Sequence, residues 1–415
     1  MRRFPWRDWV VSGALLCGAC TNTVPRVVAS NCDKADHCAK QEALHIDSVD
    51  ILLVVDDSAS LALRAEALKA QLPRLLTAVT TGGDGNESFP PVNSVHVAVT
   101  TTDMDIGNDS LEGCRAGDIH DGKFIRPADV GVTCETSYPG YLAFEGGPAP
   151  IATLDSVACV PLVFSEDGDS SGAGRRFGCG FEQPLEAALK ALWPTNDNRV
   201  SFLMGQGHGS TDNAGFLRDN SLLVVVVVTD EDDCSAENQE VFLTDSMSTT
   251  TLGPLNTRCG DHPNDLYAVQ RYITNLQQLR PDNDNVIFAL IAGLPTDLVS
   301  DDFRAHYDLS KPEDADAYYN DVLADQRMQL VTVVPPEIPE AAYYAPSCTT
   351  LLPGPPNSFP NPVEYGARPP RRLVQVAQGF KSNSVLGSIC NSDFGSTTGS
   401  IIHAIGQKLV NAGAK

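Results

Sequence analysis

Positive charge is scarce in this chain. Its 415 residues carry 29 Lys and Arg against 53 Asp and Glu, a formal net charge of −24. That balance excludes a nucleic-acid binder, because phosphate neutralisation by Lys and Arg supplies nearly all non-specific affinity for nucleic acid. The same excess of acid repels anionic lipid headgroups and excludes an electrostatic hold on a membrane surface. Several common site signatures are missing too. No Cys-x-x-Cys pair offers a zinc ribbon or a redox couple. No Gly-x-x-x-x-Gly-Lys loop is present to cradle a nucleotide phosphate. The eight histidines are scattered and none pairs at metal-ligand spacing. His208, between Gly207 and Gly209, is expected in an exposed loop. No internal repeat is found. Apart from the N-terminal region, no stretch is apolar enough to cross a bilayer, which takes ~20 residues as a helix.

What the chain does have is two apolar strands that end in clusters of oxygen atoms. Residues 48–60 read Ser-Val-Asp-Ile-Leu-Leu-Val-Val-Asp-Asp-Ser-Ala-Ser. Ile51 to Val55 show no polar alternation, which predicts a strand covered on both faces, as in a parallel sheet. Asp56, Ser58 and Ser60 follow at i, i+2 and i+4. Residues 222–233 read Leu-Leu-Val-Val-Val-Val-Val-Thr-Asp-Glu-Asp-Asp. The apolar run predicts a central strand, and Asp230, Glu231, Asp232 and Asp233 close it. In open α/β sheets ligands bind at the carboxyl ends of strands. Hard oxygen donors gathered there suit a divalent cation, Mg²⁺, Ca²⁺ or Mn²⁺. Such a cation neutralises carboxylates that otherwise repel one another. The plainer readings are a serine-rich turn capping the next helix and a solvated acidic loop.

The Asp-x-Ser-x-Ser pattern of Asp56, Ser58 and Ser60, with Thr229-Asp230 at the later strand end, resembles the metal-ion-dependent adhesion site of von Willebrand factor A (vWA) domains. The resemblance implies an α/β, Rossmann-like fold with a mainly parallel central sheet flanked by helices. It implies a cation held by Asp56, Ser58, Ser60 and Asp230. The family's third contributor is a threonine on a loop before a helix ending in Ala-Leu. The helix expected here spans residues 182–192, and the threonine position falls near Glu182. A third carboxylate there would close the site or replace an acidic ligand from a partner. Thr101, Thr102 and Asp103, at the end of a strand expected over 95–100, offer an alternative hydroxyl.

The N-terminus bears on location. Arg2, Arg3 and Arg7 accompany an apolar stretch, residues 9–19, that is too short to span a bilayer. Gly18 and Ala19 stand just before Cys20. This resembles a bacterial lipoprotein signal, and implies cleavage before Cys20 and lipid on its thiol. Residues 1–19 are then the signal peptide, 20–45 a polar tether and 46–415 the domain. The expected location is the cell envelope, as an outer-membrane lipoprotein. Together with the strand motifs, the signal also resembles that of large vWA-like lipoproteins of myxobacteria and their relatives. Of twelve cysteines, Cys17 leaves with the signal and Cys20 takes the lipid. Cys32, Cys38, Cys114, Cys134, Cys159, Cys179, Cys234, Cys259, Cys348 and Cys390 remain. An even number in an oxidising compartment predicts disulfides throughout. Cys32 and Cys38 are the pair nearest in sequence, and the other connections stay open.

Along the chain, helices are expected over 64–79, 182–192, 264–279, 372–380 and 400–409. Strands are expected over 51–55, 95–100, 222–228, 286–292 and 385–389. This alternation predicts an α/β domain with a mainly parallel sheet. Two stretches, about 104–176 and 296–370, are too long for ordinary connections and are expected to be disulfide-stapled insertions. Gly168-Asp169-Ser170-Ser171-Gly172 matches a nucleophile elbow in letters. It lacks the strand running in and the helix running out that the motif requires. Asp103, Asp105, Gly107 and Asp109 fall short of a twelve-residue calcium loop. The expected function is therefore non-catalytic. The cation would keep one position open and accept a carboxylate oxygen from a protein or another surface ligand. A scaffold with a degenerate or purely structural metal site, binding through its insertions, is the alternative. A hydrolase is the third reading.

Overall fold

Strand β1 (Ser48–Val55) is buried along its whole length, as its unbroken apolar run requires. It lies in the middle of a six-stranded sheet of order β10-β5-β4-β1-β2-β3. Its neighbours are β2 (Ser94–Thr101) and β4 (Leu222–Val228), both parallel to it. β5 (Val286–Ala292) and β10 (Ser384–Ser388) continue the parallel sheet on one side. β3 (Tyr141–Glu145) closes the other edge and runs antiparallel to β2. The register sets Val55 opposite Thr101 on one side and Val228 on the other. The loops after β1, β2 and β4 therefore leave the sheet at one level. The computed structural model describes residues 46–58, 60–107, 111, 114, 119–125, 140–149, 178–352 and 362–413. Cys20, the tether with Cys32 and Cys38, Cys134, Cys159, Asp109 and the Gly168–Gly172 motif lie outside the described residues.

Helices cover both faces. Alternate residues of β1 divide between them: Val49, Ile51, Leu53 and Val55 face one core, and Leu52 and Val54 face the other. On the first face lie α1 (Ala65–Thr81) and α6 (Gly395–Gly413). On the second lie α2 (Pro184–Leu192), α3 (Gln270–Gln277), α4 (Pro312–Ala324) and α5 (Arg371–Phe380). Every residue of α2 and of β4 is buried. Each fully buried Val or Leu there contributes roughly 1.5–3 kcal/mol relative to an exposed one.

The two expected insertions are more integral than their composition suggests. The first supplies β3, whose alternation of buried Leu142 and Phe144 with exposed Ala143 and Glu145 fits an edge strand covered on one face. The second supplies α4, which sets Tyr318, Tyr319 and Val322 into the second core. It also forms two hairpins, β6 (Thr332–Val333) with β7 (Tyr343–Tyr344), and β8 (Cys348–Leu352) with β9 (Val363–Ala367). Tyr365 of β9 packs into the first core.

Disulfides join Cys114 to Cys179, Cys234 to Cys259 and Cys348 to Cys390. Each ties a loop at the carboxyl edge of the sheet. Such closures stabilise by about 2–4 kcal/mol each. No helix among the described residues is long and apolar enough to cross a membrane. His208 departs from expectation: it is 9% exposed, with its ring between Asp212 Oδ2 and the Asp121 carbonyl, each at 3.0 Å. Its flanking glycines are needed for close packing, because a Cβ at Gly207 or Gly209 would strike the carbonyls of Trp193 and Leu192.

Candidate metal centre

β1 hands its alignment on to Asp56, whose N–H still donates to the Val228 carbonyl at 2.9 Å. The Asp56 side chain is fully buried. Its Oδ1 accepts the Ser58 N–H at 2.7 Å, a turn that places Ser58, and its Oδ2 accepts the Thr229 hydroxyl at 2.8 Å. The hydroxyls of Ser58 and Ser60 stand 2.9 Å apart. Asp230 follows Thr229 and is 2% exposed. Its Oδ2 accepts the Tyr365 hydroxyl at 2.9 Å, while its Oδ1 is buried with no hydrogen-bond partner. The N–H of Arg368 donates to its carbonyl at 2.8 Å.

This edge carries more negative charge than its partners cancel. Burial, and then the charge of Asp56, push Asp230 up to about 7, against the pull of the Tyr365 hydroxyl on Oδ2. Tyr365 is itself raised, by burial and by Asp230, and remains a protonated donor. Glu182, just before α2, is 7% exposed. Burial raises it well above the usual carboxylate range, with the charges of Asp56 and Glu231 adding to the effect. Glu231 is raised by burial and by Asp230, and Arg368, 3.7 Å away, opposes the shift. Thr102 is buried, and its hydroxyl has no partner. Its carbonyl accepts the Gln183 N–H at 2.7 Å, which ties the end of β2 to the residue after Glu182.

The remaining two acids of the 230–233 cluster have structural duties. Asp232 accepts the N–H groups of Arg372 and Leu373 at the start of α5. Asp233 accepts the Leu185 N–H at the start of α2 and the Ser235 hydroxyl, and it pairs with Arg372 at 3.2 Å. Carboxylates at helix N-termini satisfy orphan N–H groups and the helix dipole.

A second grouping lies beside the first. Among the described residues, Asp57, Asp103 and His120 bring one ligand atom each within 4.8 Å of one another and could hold a metal ion. Asp57 fills the variable place of the Asp-x-Ser-x-Ser pattern, and His120 lies far from it in sequence, so neither carries a motif signal. Tyr365 escaped the sequence reading for the same reason: only the fold brings β9 to Asp230.

A cavity of about 280 Å³ opens beside these loops, with Ser58, Ser60, Glu182, Glu231, Arg368 and Arg372 in its wall. It combines serine hydroxyls, carboxylates and guanidinium groups on one surface.

No family model matches the chain, and no curated protein matches it. Among solved structures, the pilus adhesin SpaC from Lactobacillus rhamnosus GG in its open conformation aligns with 17% identity over 46% of this chain. The aligned part spans 16% of that adhesin and the TM-score is 0.21, so the likeness carries no argument about fold or function.

Proposed function

We propose that this chain is an exported, lipid-anchored vWA-like domain that binds a divalent cation at Asp56, Ser58, Ser60 and Asp230 and uses it to recognise a protein or another surface ligand. The observation that carries the reading is the buried Oδ1 of Asp230, which has no hydrogen-bond partner and stands beside the buried charge of Asp56. An unpaired buried carboxylate oxygen costs at least about 1–3 kcal/mol, and a bound cation removes that cost. The sheet order, with a single antiparallel edge strand, suits the vWA reading. The all-oxygen donor set suits Mg²⁺, Ca²⁺ or Mn²⁺. When bound, the cation supplies a positive centre that attracts a carboxylate oxygen of the ligand. Thr229 and Tyr365 orient the two aspartates, and the adjoining cavity, with Arg368 in its wall, gives an acidic side chain room to approach. The role is recognition rather than catalysis. Cys20 is the proposed lipid attachment, and the disulfides fit an oxidising compartment.

One observation favours a second reading. Glu182 is buried and close enough to Asp56 to feel its charge. If its carboxylate fills the cation's remaining position, the site is structural and the chain is a scaffold. Thermal melting with Mg²⁺, Ca²⁺ and Mn²⁺ from micromolar to millimolar tests both. The site predicts about 2.7 kcal/mol of stabilisation at one hundred times the dissociation constant, and Asp56→Ala abolishes it. Recognition predicts in addition that a glutamate-rich peptide binds only when the cation is present. A cation response without peptide binding favours the scaffold. No response from wild type to any of the three cations ends the proposal.

A further inference from the structure

We propose that Asp57, Asp103 and His120 form a second cation site, separate in its ligands from the first and selective for a borderline metal such as Zn²⁺ or Co²⁺. Three loops at the carboxyl edge build it. Asp57 sits on the turn after β1, and its carbonyl accepts the Gly178 N–H at 3.2 Å. The Asp57 carboxylate packs directly on Gly178, where a Cβ would force it to move. Asp103 follows β2, and its carbonyl accepts the Asp121 N–H at 3.2 Å. His120 stands just before a turn closed by the Lys123 N–H on its own carbonyl at 2.9 Å. Its backbone N–H donates to Asp103 Oδ2 at 3.3 Å. The hydrogen bonds to Asp103 thus hold His120 against the end of β2, and Asp57 faces the pair from the end of β1.

Two carboxylate oxygens there lack what burial demands. Asp103 is 1% exposed, yet its Oδ1 has no hydrogen-bond partner. That atom faces the Nδ1 of His120 at 3.8 Å, too far for a hydrogen bond. The Oδ1 of Asp57 is buried and unpartnered as well. A metal ion between the three groups supplies the missing partner. Tetrahedral ligands at about 2.0–2.2 Å from one ion stand about 3.3–3.6 Å apart, so ligand atoms that lie within 4.8 Å of one another close in by up to about 1.5 Å when the ion binds.

The donor set decides the class of metal. Two carboxylates cancel the charge of a divalent cation, and the imidazole adds a neutral nitrogen. Ca²⁺ and Mg²⁺ take oxygen ligands, whereas nitrogen with oxygen suits Zn²⁺ and Co²⁺. Three protein ligands leave a coordination position open. The His120 side chain, 23% exposed, gives the ion a route from solvent.

The test uses the full mature chain, with Co²⁺ as an optical probe and Zn²⁺ as competitor. Co²⁺ should bind with visible absorption, Zn²⁺ should displace it, and the ring nitrogens of His120 should shift in a long-range proton–nitrogen spectrum. His120→Gln should weaken Co²⁺ binding by about tenfold or more. Asp56→Ala should keep the Co²⁺ signal, so failure of the first site and failure of this one are told apart. Equal Co²⁺ affinity in wild type and His120→Gln overturns the proposal. Should that variant fail to fold, the wild-type spectrum decides: a His120 ring unmoved by saturating Zn²⁺ leaves an ordinary histidine–aspartate contact and no metal site.

Discussion

Asp230 is held at one oxygen and bare at the other, and that asymmetry gives Tyr365 its importance. The tyrosine hydroxyl fixes Oδ2 at 2.9 Å and leaves Oδ1 unpartnered. Partners of this kind orient a metal ligand, and their loss commonly weakens metal binding by about 10- to 100-fold. Tyr365→Phe removes one oxygen and little volume, so the first core in which the ring packs stays filled. The expected cost to the fold is about 1.5–3 kcal/mol, that of one hydrogen bond with a charged acceptor. Calorimetric titration with Ca²⁺ or Mn²⁺ should give a dissociation constant raised about tenfold. An unchanged constant would mean that Asp230 is oriented by its backbone alone.

At the scale of elements, legibility followed local signal. β4 was readable to the residue because seven consecutive apolar side chains allow little else. β3 was not, although Leu142 and Phe144 alternate with polar or small neighbours. Five residues inside a stretch rich in Gly, Pro and Asp give too short a period-2 pattern to stand out. α4 was missed because Pro312–Ala324 is mostly acidic and polar on its outer side, and its buried stripe is only Ala315, Tyr318, Tyr319 and Val322. The candidate site divides in the same way. Asp56 and Asp230 could be found because strand ends mark them, whereas Tyr365 and His120 reach the edge only through tertiary packing. The Cys348–Cys390 disulfide carries that packing: it joins the β8–β9 hairpin, with Tyr365 on it, to the end of β10 across 42 residues. The double variant Cys348→Ser with Cys390→Ser leaves no unpaired thiol at this place. It should lose on the order of 3–4 kcal/mol of stability, seen as a lower melting temperature. It should also weaken cation binding in the same direction as Tyr365→Phe. Lost stability with unaltered cation affinity would show that the hairpin docks without its staple.

For the whole molecule, charge and chain order set where the site can work. A formal net charge of −24 over the 415 residues gives the chain no electrostatic purchase on anionic lipid. The proposed membrane attachment therefore rests on acyl chains, and Cys20 is the residue that the signal-like N-terminus offers for them. Each buried methylene of such a chain contributes about 0.8 kcal/mol, and a second chain is what turns marginal binding into stable anchoring. Cys20→Ser removes the thiol proposed to carry the lipid while leaving residues 46–415, and with them the sheet, its disulfides and the proposed cation site, unaltered. The variant should therefore leave the membrane fraction for the soluble fraction, with the melting temperature and cation response of the wild-type domain. Fractionation followed by melting of each fraction checks both halves of the expectation. A variant that sediments with membranes to the same extent as wild type would require an attachment made by the folded domain itself, and the acidic surface would then have to be bridged to the membrane by the cation or by a protein partner.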